Sequence, residues 1–419
     1  MLSACVGSPP SSASPVAPTD LAPVTLTFWH TQSGAESALL NALADDFHGA
    51  YPSITVRGEA KKDEGDLLRQ GIAAMALNQL PDMIIASDRT IGEFARQGAV
   101  VALDPLLDDA TLGLRADERS DFFPGLLDAG RFPDLKNQLF AFPFDQNAVV
   151  LYANLDLLKA AKIDSPRTWD QFSAAARSTT KGSVRGWAMS PNATIYYAFL
   201  FSRGSSVLND AQTQSRLTDD ANLKSLQMIA ALSKGGSAYL VDSANAARTD
   251  FAQGKTAFFF GTTDDLAALT DALARANAKF QWSVTSVPQD DPSHPLTTIV
   301  GSRLAIFSRS NARTRAAWLF VRWLAEPAQT ARWSRATLSI PLRASALPLL
   351  AAGTSSPLFQ RLRDGFGDTL PAGRAPPAVK DAAQIDAAVV EMWSAVANGA
   401  DPAAAISAAT SRVNRILGP

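Results

Sequence analysis

The sequence predicts an α/β protein of more than one domain. Its 419 residues exceed what one hydrophobic core comfortably serves. From Val24 onward, strand-like and helix-like patterns alternate, the order that builds a sheet flanked by helices. A hydrophobic content of 47% with 19% charged residues describes an ordinary globular chain. Cys5 is the one cysteine, so an internal disulfide is excluded and stability must come from packing. A net charge of −2 leaves no electrostatic footprint for nucleic acid. The longest largely apolar run, Ala193 to Phe201, is far short of the roughly 20 residues that span a bilayer.

The first strand is Val24-Thr25-Leu26-Thr27-Phe28-Trp29-His30, rich in β-branched and aromatic residues. Ser33 and Glu36 then have capping-box spacing, in which the hydroxyl accepts from the third helical N–H and the carboxylate reaches back. Leu39, Leu40, Leu43 and Phe47 recur at helical spacing, and Gly49 and Pro52 stop the helix before the strand at Ile54-Thr55-Val56. The spacing predicts a second helix over Asp66 to Leu77, a buried strand Met83 to Ala86, and a helix from Thr90 towards Gln97. In open α/β sheets ligands bind beyond the carboxyl ends of strands, which singles out Trp29, His30, Ser87 and Asp88.

Further on, Phe140 to Asp145 forms an aromatic-proline turn leading into a strand over Ala148 to Asn154. Thr168 and Gln171 repeat the capping-box spacing ahead of another helix. A strand Gly186 to Met189, an aromatic helix Thr194 to Phe201, and strands Thr256 to Gly261 and Trp282 to Val287 make the middle section mixed α/β. Leu304 to Phe307 reads as a strand, followed by a helix carrying Ala316, Trp318, Leu319, Val321, Trp323 and Leu324. The Ala-rich run after Asp401-Pro402 closes the chain as a helix, with Ile406, Val413 and Ile416 on its apolar side.

Four stretches, in this order, carry a resemblance: TFWHTQSGAESALLNALADDFHGAYPSITV, LNQLPDMIIAS, LYANLDLLKAAKIDSPRTWDQF and FAQGKTAFFFGTTDDL. Together they resemble the family 1 extracellular solute-binding proteins that serve ABC importers of sugars and glycerol phosphate. The resemblance implies a two-lobed periplasmic-binding-protein-like fold of type II, its α/β lobes joined by three crossovers. It places lobe 1 at residues 24–143 plus 298–341 and lobe 2 at 144–297 plus 342–419. The third crossover of the family usually reads Gly-Tyr-Leu-Pro-x-Arg, whereas here Thr337-Leu338-Ser339-Ile340 precedes Pro341-Leu342-Arg343, so a tyrosine contact is not carried over. Residues 1–23 form a leader and linker of Ser, Pro, Ala and Gly, too polar and too small-sided to bury a core. Within it, Leu2-Ser3-Ala4-Cys5 resembles the bacterial lipoprotein box, which implies lipidation of Cys5 and anchoring at the extracytoplasmic face of the cell membrane. The charged and apolar regions of a signal peptide do not precede it, so the start is expected to be truncated or to lie inside such a signal.

Nothing in the sequence speaks for catalysis, a metal or a cofactor. His30, His48 and His294 lack zinc-like spacing. There is no Gly-x-Ser-x-Gly elbow, and Gly254-Lys255-Thr256 is not a phosphate loop because Thr249 stands where that motif needs glycine. What remains is the chemistry that binds sugars: aromatic faces for C–H surfaces, and amide, carboxylate or guanidinium groups for hydroxyls. Trp29 and His30 qualify by position, with a core tryptophan under the helix as the alternative. Asp145 and Asn147 at the first crossover can bond hydroxyls or simply form a turn, and Trp187 could line the second lobe's side of the cleft. Gly261 with Thr262, and Gly301 with Ser302, would let a ligand approach backbone N–H groups. Arg343 reaches the ligand in the family pattern, against the alternative of a surface arginine paired with an acid. The resemblance thus implies a monomeric, non-enzymatic binding protein that captures a carbohydrate between its lobes and delivers it to ABC permease subunits. A glycerol 3-phosphate or glycerophosphodiester ligand, with Arg303 and Arg343 serving the phosphate, is the alternative; a secreted glycan-active enzyme and a sensor ectodomain are readings from other classes.

Overall fold

A computed structural model describes residues 22–351, 360–361 and 372–418. Cys5, the expected lipidation site, lies outside the described residues. The chain opens as β1 (Val24–His30), α1 (Gly34–Ala50), β2 (Ile54–Ala60), α2 (Glu64–Ala76), β3 (Met83–Ala86) and α3 (Asp88–Arg96). β1 lies between β2 and β3 and is parallel to both. Its alternate residues Leu26, Phe28 and His30 are buried, as the period of a half-covered strand requires. Leu40, Leu43 and Phe47 of α1 belong to the same core cluster.

Helix starts differ from the pattern-based reading where a cap was overlooked. The Asp63 carboxylate accepts from the Asp66 N–H at 2.8 Å and starts α2 earlier than the apolar periodicity suggests. Ser87 caps α3, its hydroxyl accepting from the Thr90 N–H at 3.3 Å. The capping box expected at Ser33 and Glu36 is not formed: the Ser33 side chain makes no cap bond. The equivalent box at Thr168 and Gln171 is formed in both directions.

The two lobes share one ten-stranded mixed sheet because two long strands run through both. The first hinge strand, Phe142–Asn154, replaces the turn and shorter strand expected from the sequence. It pairs through Phe142–Ala148 with the second hinge strand, Leu296–Ile306, and through Val149–Ala153 with strand Thr256–Thr262 of the second lobe. The second hinge strand continues into the first lobe, pairing Arg303–Ile306 with β3. A third link is made where the Ile340 N–H donates to the Gln146 carbonyl at 2.7 Å. Pro143 stands inside the first hinge strand next to an irregularity: Ser302 lies opposite Asp145 and Arg303 opposite Pro143, so the register shifts and Phe144 is skipped, the kind of bulge beside which a proline occurs in a sheet.

One core cluster gathers β1–β3, α1, both hinge strands and helix Asn311–Leu324, with Trp318 fully buried. Another gathers Trp169, Phe172, Trp187, Phe199, Phe260 and Trp393. Its rings meet at centroid distances such as 4.8 Å for Phe199–Phe260 and 5.2 Å for Phe172–Phe260. Each such pair contributes roughly 0.5–1.5 kcal/mol beyond burial. Trp187 belongs here, 1% exposed, which corrects its assignment to the cleft: a strand central to the lobe turns it into the aromatic core. Tyr196 and Tyr197 are likewise buried in this cluster.

At Gly301 the hinge strands leave no room for a side chain. Its φ of +136° is open to glycine, and a Cβ there would stand 2.0 Å from the Asp145 carbonyl oxygen. Gly301→Ala should therefore lower unfolding stability by about 1–3 kcal/mol. Gly49→Ala, in a helix with open space around it, should instead raise stability by up to about 1 kcal/mol. Urea titrations of the two variants test this; equal midpoints would show that the hinge does not need glycine.

Candidate functional site

A cavity of about 390 Å³ lies between the lobes, within the range of small-molecule sites. The first lobe contributes Glu64 and the start of α3, the second lobe contributes Thr194 and Asp386, and the floor includes Gly301. The reason these meet is topological: α3 begins at the carboxyl end of β3, and β3 pairs directly with the hinge strand that carries Gly301.

The polar groups around this cavity hold one another in place. Both the N–H and the hydroxyl of Ser87 donate to Glu64 Oε1, at 2.8 and 2.6 Å. Asp88 Oδ1 stands 2.7 Å from Arg303 Nε, although the two are not aligned as a hydrogen bond. Arg303 is 1% exposed and donates through Nη1 to the Leu126 carbonyl at 2.9 Å. Burial raises the Asp88 pKa more than the guanidinium lowers it. Asp386 accepts from Arg89 Nη2 at 2.6 Å and from the Tyr197 hydroxyl. Burial and the adjacent carboxylate keep that phenol protonated, so it acts as a donor.

A second polar group surrounds the first hinge strand. Burial pushes the Asp145 carboxyl up to about 6, helped by the negative charge of Glu36 and Asp264 and opposed by Trp333 and Ser339. Asp145 Oδ1 has no hydrogen-bond partner among the described residues. The charge of Glu36, assigned to a cap by its spacing, thus acts on Asp145 from the first lobe as that of Asp264 does from the second. Asn147 is mostly buried and accepts from the Thr263 hydroxyl at 2.8 Å. Thr262 donates its N–H to Asp265 at 2.9 Å, and Gly261 leaves room for that carboxylate, which a Cβ would meet at 2.4 Å. The Ser302 carbonyl accepts from Gln146 Nε2 at 2.9 Å.

The structure therefore brings Ser87, Asp88 and Gly301 to the cavity wall, and Asp145, Asn147 and Ser302 to the hinge beside it. Three other candidates are placed elsewhere. His30 is 1% exposed, packed 5.3 Å from the Phe28 ring, and burial lowers its pKa. One face of Trp29 is taken by Lys61 Nζ, 3.8 Å from the ring centroid, and its indole N–H donates to Glu59. Arg343 is 4% exposed and stacked 4.6 Å over Phe122, with the charges of Glu118, Asp121 and Glu326 acting on it, and it does not line this cavity. Sequence reasoning missed Glu64, Arg89 and Asp386. Asp386 sits in an amphipathic helix remote in sequence from every strand end, and no local pattern marks it.

The raised Asp145 pKa has a stability consequence. A carboxyl whose folded pKa exceeds its unfolded value favours the native state below the unfolded value, and that contribution is lost as pH rises through about 6. Asp145→Asn should therefore stabilise the protein by roughly 1–3 kcal/mol at pH 7.5 and by almost nothing at pH 4. Denaturant titrations at both pH values check the sign; a variant less stable at pH 7.5 would refute it.

Comparison with known proteins agrees with this architecture. Residues 31–331 match the family model described as bacterial extracellular solute-binding protein. The chain is 25% identical over 362 residues to the sn-glycerol-3-phosphate-binding periplasmic protein UgpB of Pectobacterium atrosepticum, covering 83% of this chain and 78% of that protein. Among solved structures, the sugar-binding protein MalE of Xanthomonas citri superposes with a TM-score of 0.80 at 22% identity, covering 94% of this chain and 97% of that one. The cyclic alpha-maltosyl-1,6-maltose binding protein of Arthrobacter globiformis gives 0.79 at 20% identity, covering 94% and 99%. At these identities the two structures speak for the two-lobed fold, while the match over residues 31–331 decides the family: this chain belongs to the bacterial extracellular solute-binding proteins.

Proposed function

We propose that this chain is the binding component of an ABC importer that captures a carbohydrate between its lobes and hands it to permease subunits. The observation that carries the ligand class is the charge of the cavity. Glu64, Asp88, Glu93 and Asp386 line it, with Arg89 the one guanidinium on the wall among the described residues. Carboxylates accept from sugar hydroxyls, and they repel a phosphate. Arg89 is paired with Asp386 and the Arg303 guanidinium stands 2.7 Å from Asp88, so a carboxylate already offsets each of these positive charges. Ser87, Asp88, Gly301 and the hinge residues Asp145, Asn147, Ser302 and Thr262 are the proposed ligand neighbours. The lobe limits proposed are 24–143 with 298–341, and 144–297 with 342–419. Binding that is stronger in the closed form would draw the lobes together, which is how a ligand touching both lobes signals its own capture. The reading is of a monomeric binding protein without catalysis.

A glycerol 3-phosphate ligand is the second reading, supported by what the Pectobacterium relative is named for. Thermal-shift measurements separate the two. At a hundredfold excess over Kd, a bound solute should raise the melting temperature by roughly 2–4 °C. Maltose or maltotriose is expected to do so and glycerol 3-phosphate is not; the reverse pattern would overturn the carbohydrate assignment.

We also propose lipidation of Cys5 with anchoring outside the cytoplasm, supported by the Leu-Ser-Ala-Cys box ahead of a polar linker. Expression in bacteria with an alkynyl palmitate analogue should label the protein in the membrane fraction. Cys5→Ser should lose the label; equal labelling of both would refute the assignment.

A further inference from the structure

Both ends of α3 are tied to the second lobe at the wall of the cavity. At its first turn, Arg89 Nη2 donates to Asp386 Oδ2 at 2.6 Å. Asp386 lies on helix Ala382–Ala397, whose buried residues Ile385, Val389 and Trp393 belong to the second lobe's core. At the last turn of α3, Arg96 donates to the carbonyl of Ala378, in the segment leading into that same helix. Arg89, Ala378 and Asp386 all line the cavity, so these contacts can form only while α3 rests against the second lobe.

The Asp386 side of the pair is built to receive a cation. The Tyr197 hydroxyl, from the second lobe's own core, donates to Asp386 Oδ1 and leaves Oδ2 for Arg89. The carboxylate is therefore oriented by its own lobe before the opposite lobe arrives, which reduces the side-chain entropy lost when the pair forms. The side chains of Arg89 and Asp386 are 46% and 28% exposed, so the pair is reachable by solvent and screened by salt.

We propose that Arg89 and Asp386 form a cross-cleft latch that favours the closed arrangement before any solute is bound, so that solute entry and release require this pair to break. Arg89 is then a positioning residue for closure and not a ligand contact. The effect on solute exchange rests on the reading of this cavity as the solute site; the effect on lobe closure does not.

Double electron–electron resonance on the solute-free protein tests it, with spin labels on Ala73→Cys in the first lobe and Lys234→Cys in the second, in a Cys5→Ser background. Arg89→Ala and Asp386→Asn should each shift the distance distribution outward, raising the open-to-closed ratio about two- to fivefold, the range for a partly exposed pair. Raising the salt concentration to 1 M should move the parent protein in the same direction. The charge swap Arg89→Asp with Asp386→Arg should restore the parent distribution. Arg69→Ala, which removes an ion pair within the first lobe, should leave it unchanged. Unchanged distances in both single variants, or a swap that fails to restore them, would overturn the latch. Stopped-flow release of maltotriose should quicken by the same factor in Arg89→Ala. If maltotriose does not bind, the carbohydrate reading fails while the resonance distances still decide the latch.

Discussion

The fold depends on the antiparallel pairing of Phe142–Ala148 with Ile299–Leu304. Among the described residues these two strands are the elements of the sheet whose pairing reaches both lobes' strands, and their backbones approach closely enough at Gly301 that a side chain is excluded. Ser87, Asp88 and Gly301 at the cavity wall take their positions from this ladder. β3 and the start of α3 are placed by pairing with its first-lobe end, and strand Thr256–Thr262 by pairing with its second-lobe end. A hinge made of continuous strands, with their bonds intact, resists shear but can twist, and the register shift beside Pro143 supplies a local irregularity at the middle of the connection.

The electrostatics follow from where that ladder puts carboxylates. In the cavity, acids from opposite lobes are each met by a group from the protein: Ser87 donates to Glu64, Arg89 and Tyr197 donate to Asp386, and the Arg303 charge stands beside Asp88. At the hinge, Asp145 has no hydrogen-bond partner for Oδ1 and lies near the charges of Glu36 and Asp264. The first arrangement stores order and the second stores unfavourable desolvation. A neutral ligand rich in hydroxyl donors would relieve that desolvation, because a carboxylate that gains donors regains part of what it lost on leaving water.

Much of the fold was legible in the sequence because it is written in local patterns. β1, α1 and the strand Met83–Ala86 follow from periodicity, and the Thr168–Gln171 box marks a helix start in one turn of chain. The failures are also local in origin. Ser33 and Glu36 have the same spacing as that box, yet the Ser33 cap bond is absent, because spacing permits a capping box without enforcing the side-chain rotamers that form it. Phe142–Asn154 is one continuous strand where the sequence predicts a turn and a shorter strand, and the register shift beside Pro143 depends on the partner strand, which no local pattern records.

The sequence by itself determined the alternation of strands and helices and, through its family resemblance, the two-lobed class. Tertiary structure alone decided which polar residues share a space. Trp187, His30 and Arg343 stand at strand ends or crossovers as plausibly as Asp88 or Gly301 do, but the packing of the lobes buries the first three and leaves the others at the cavity or hinge. Asp386 meets Arg89 from 297 residues away, a proximity carried by no spacing in the chain. The physical reason is that periodicity records which face of an element is apolar, whereas a site is set by where two separately folded lobes bring their polar edges together.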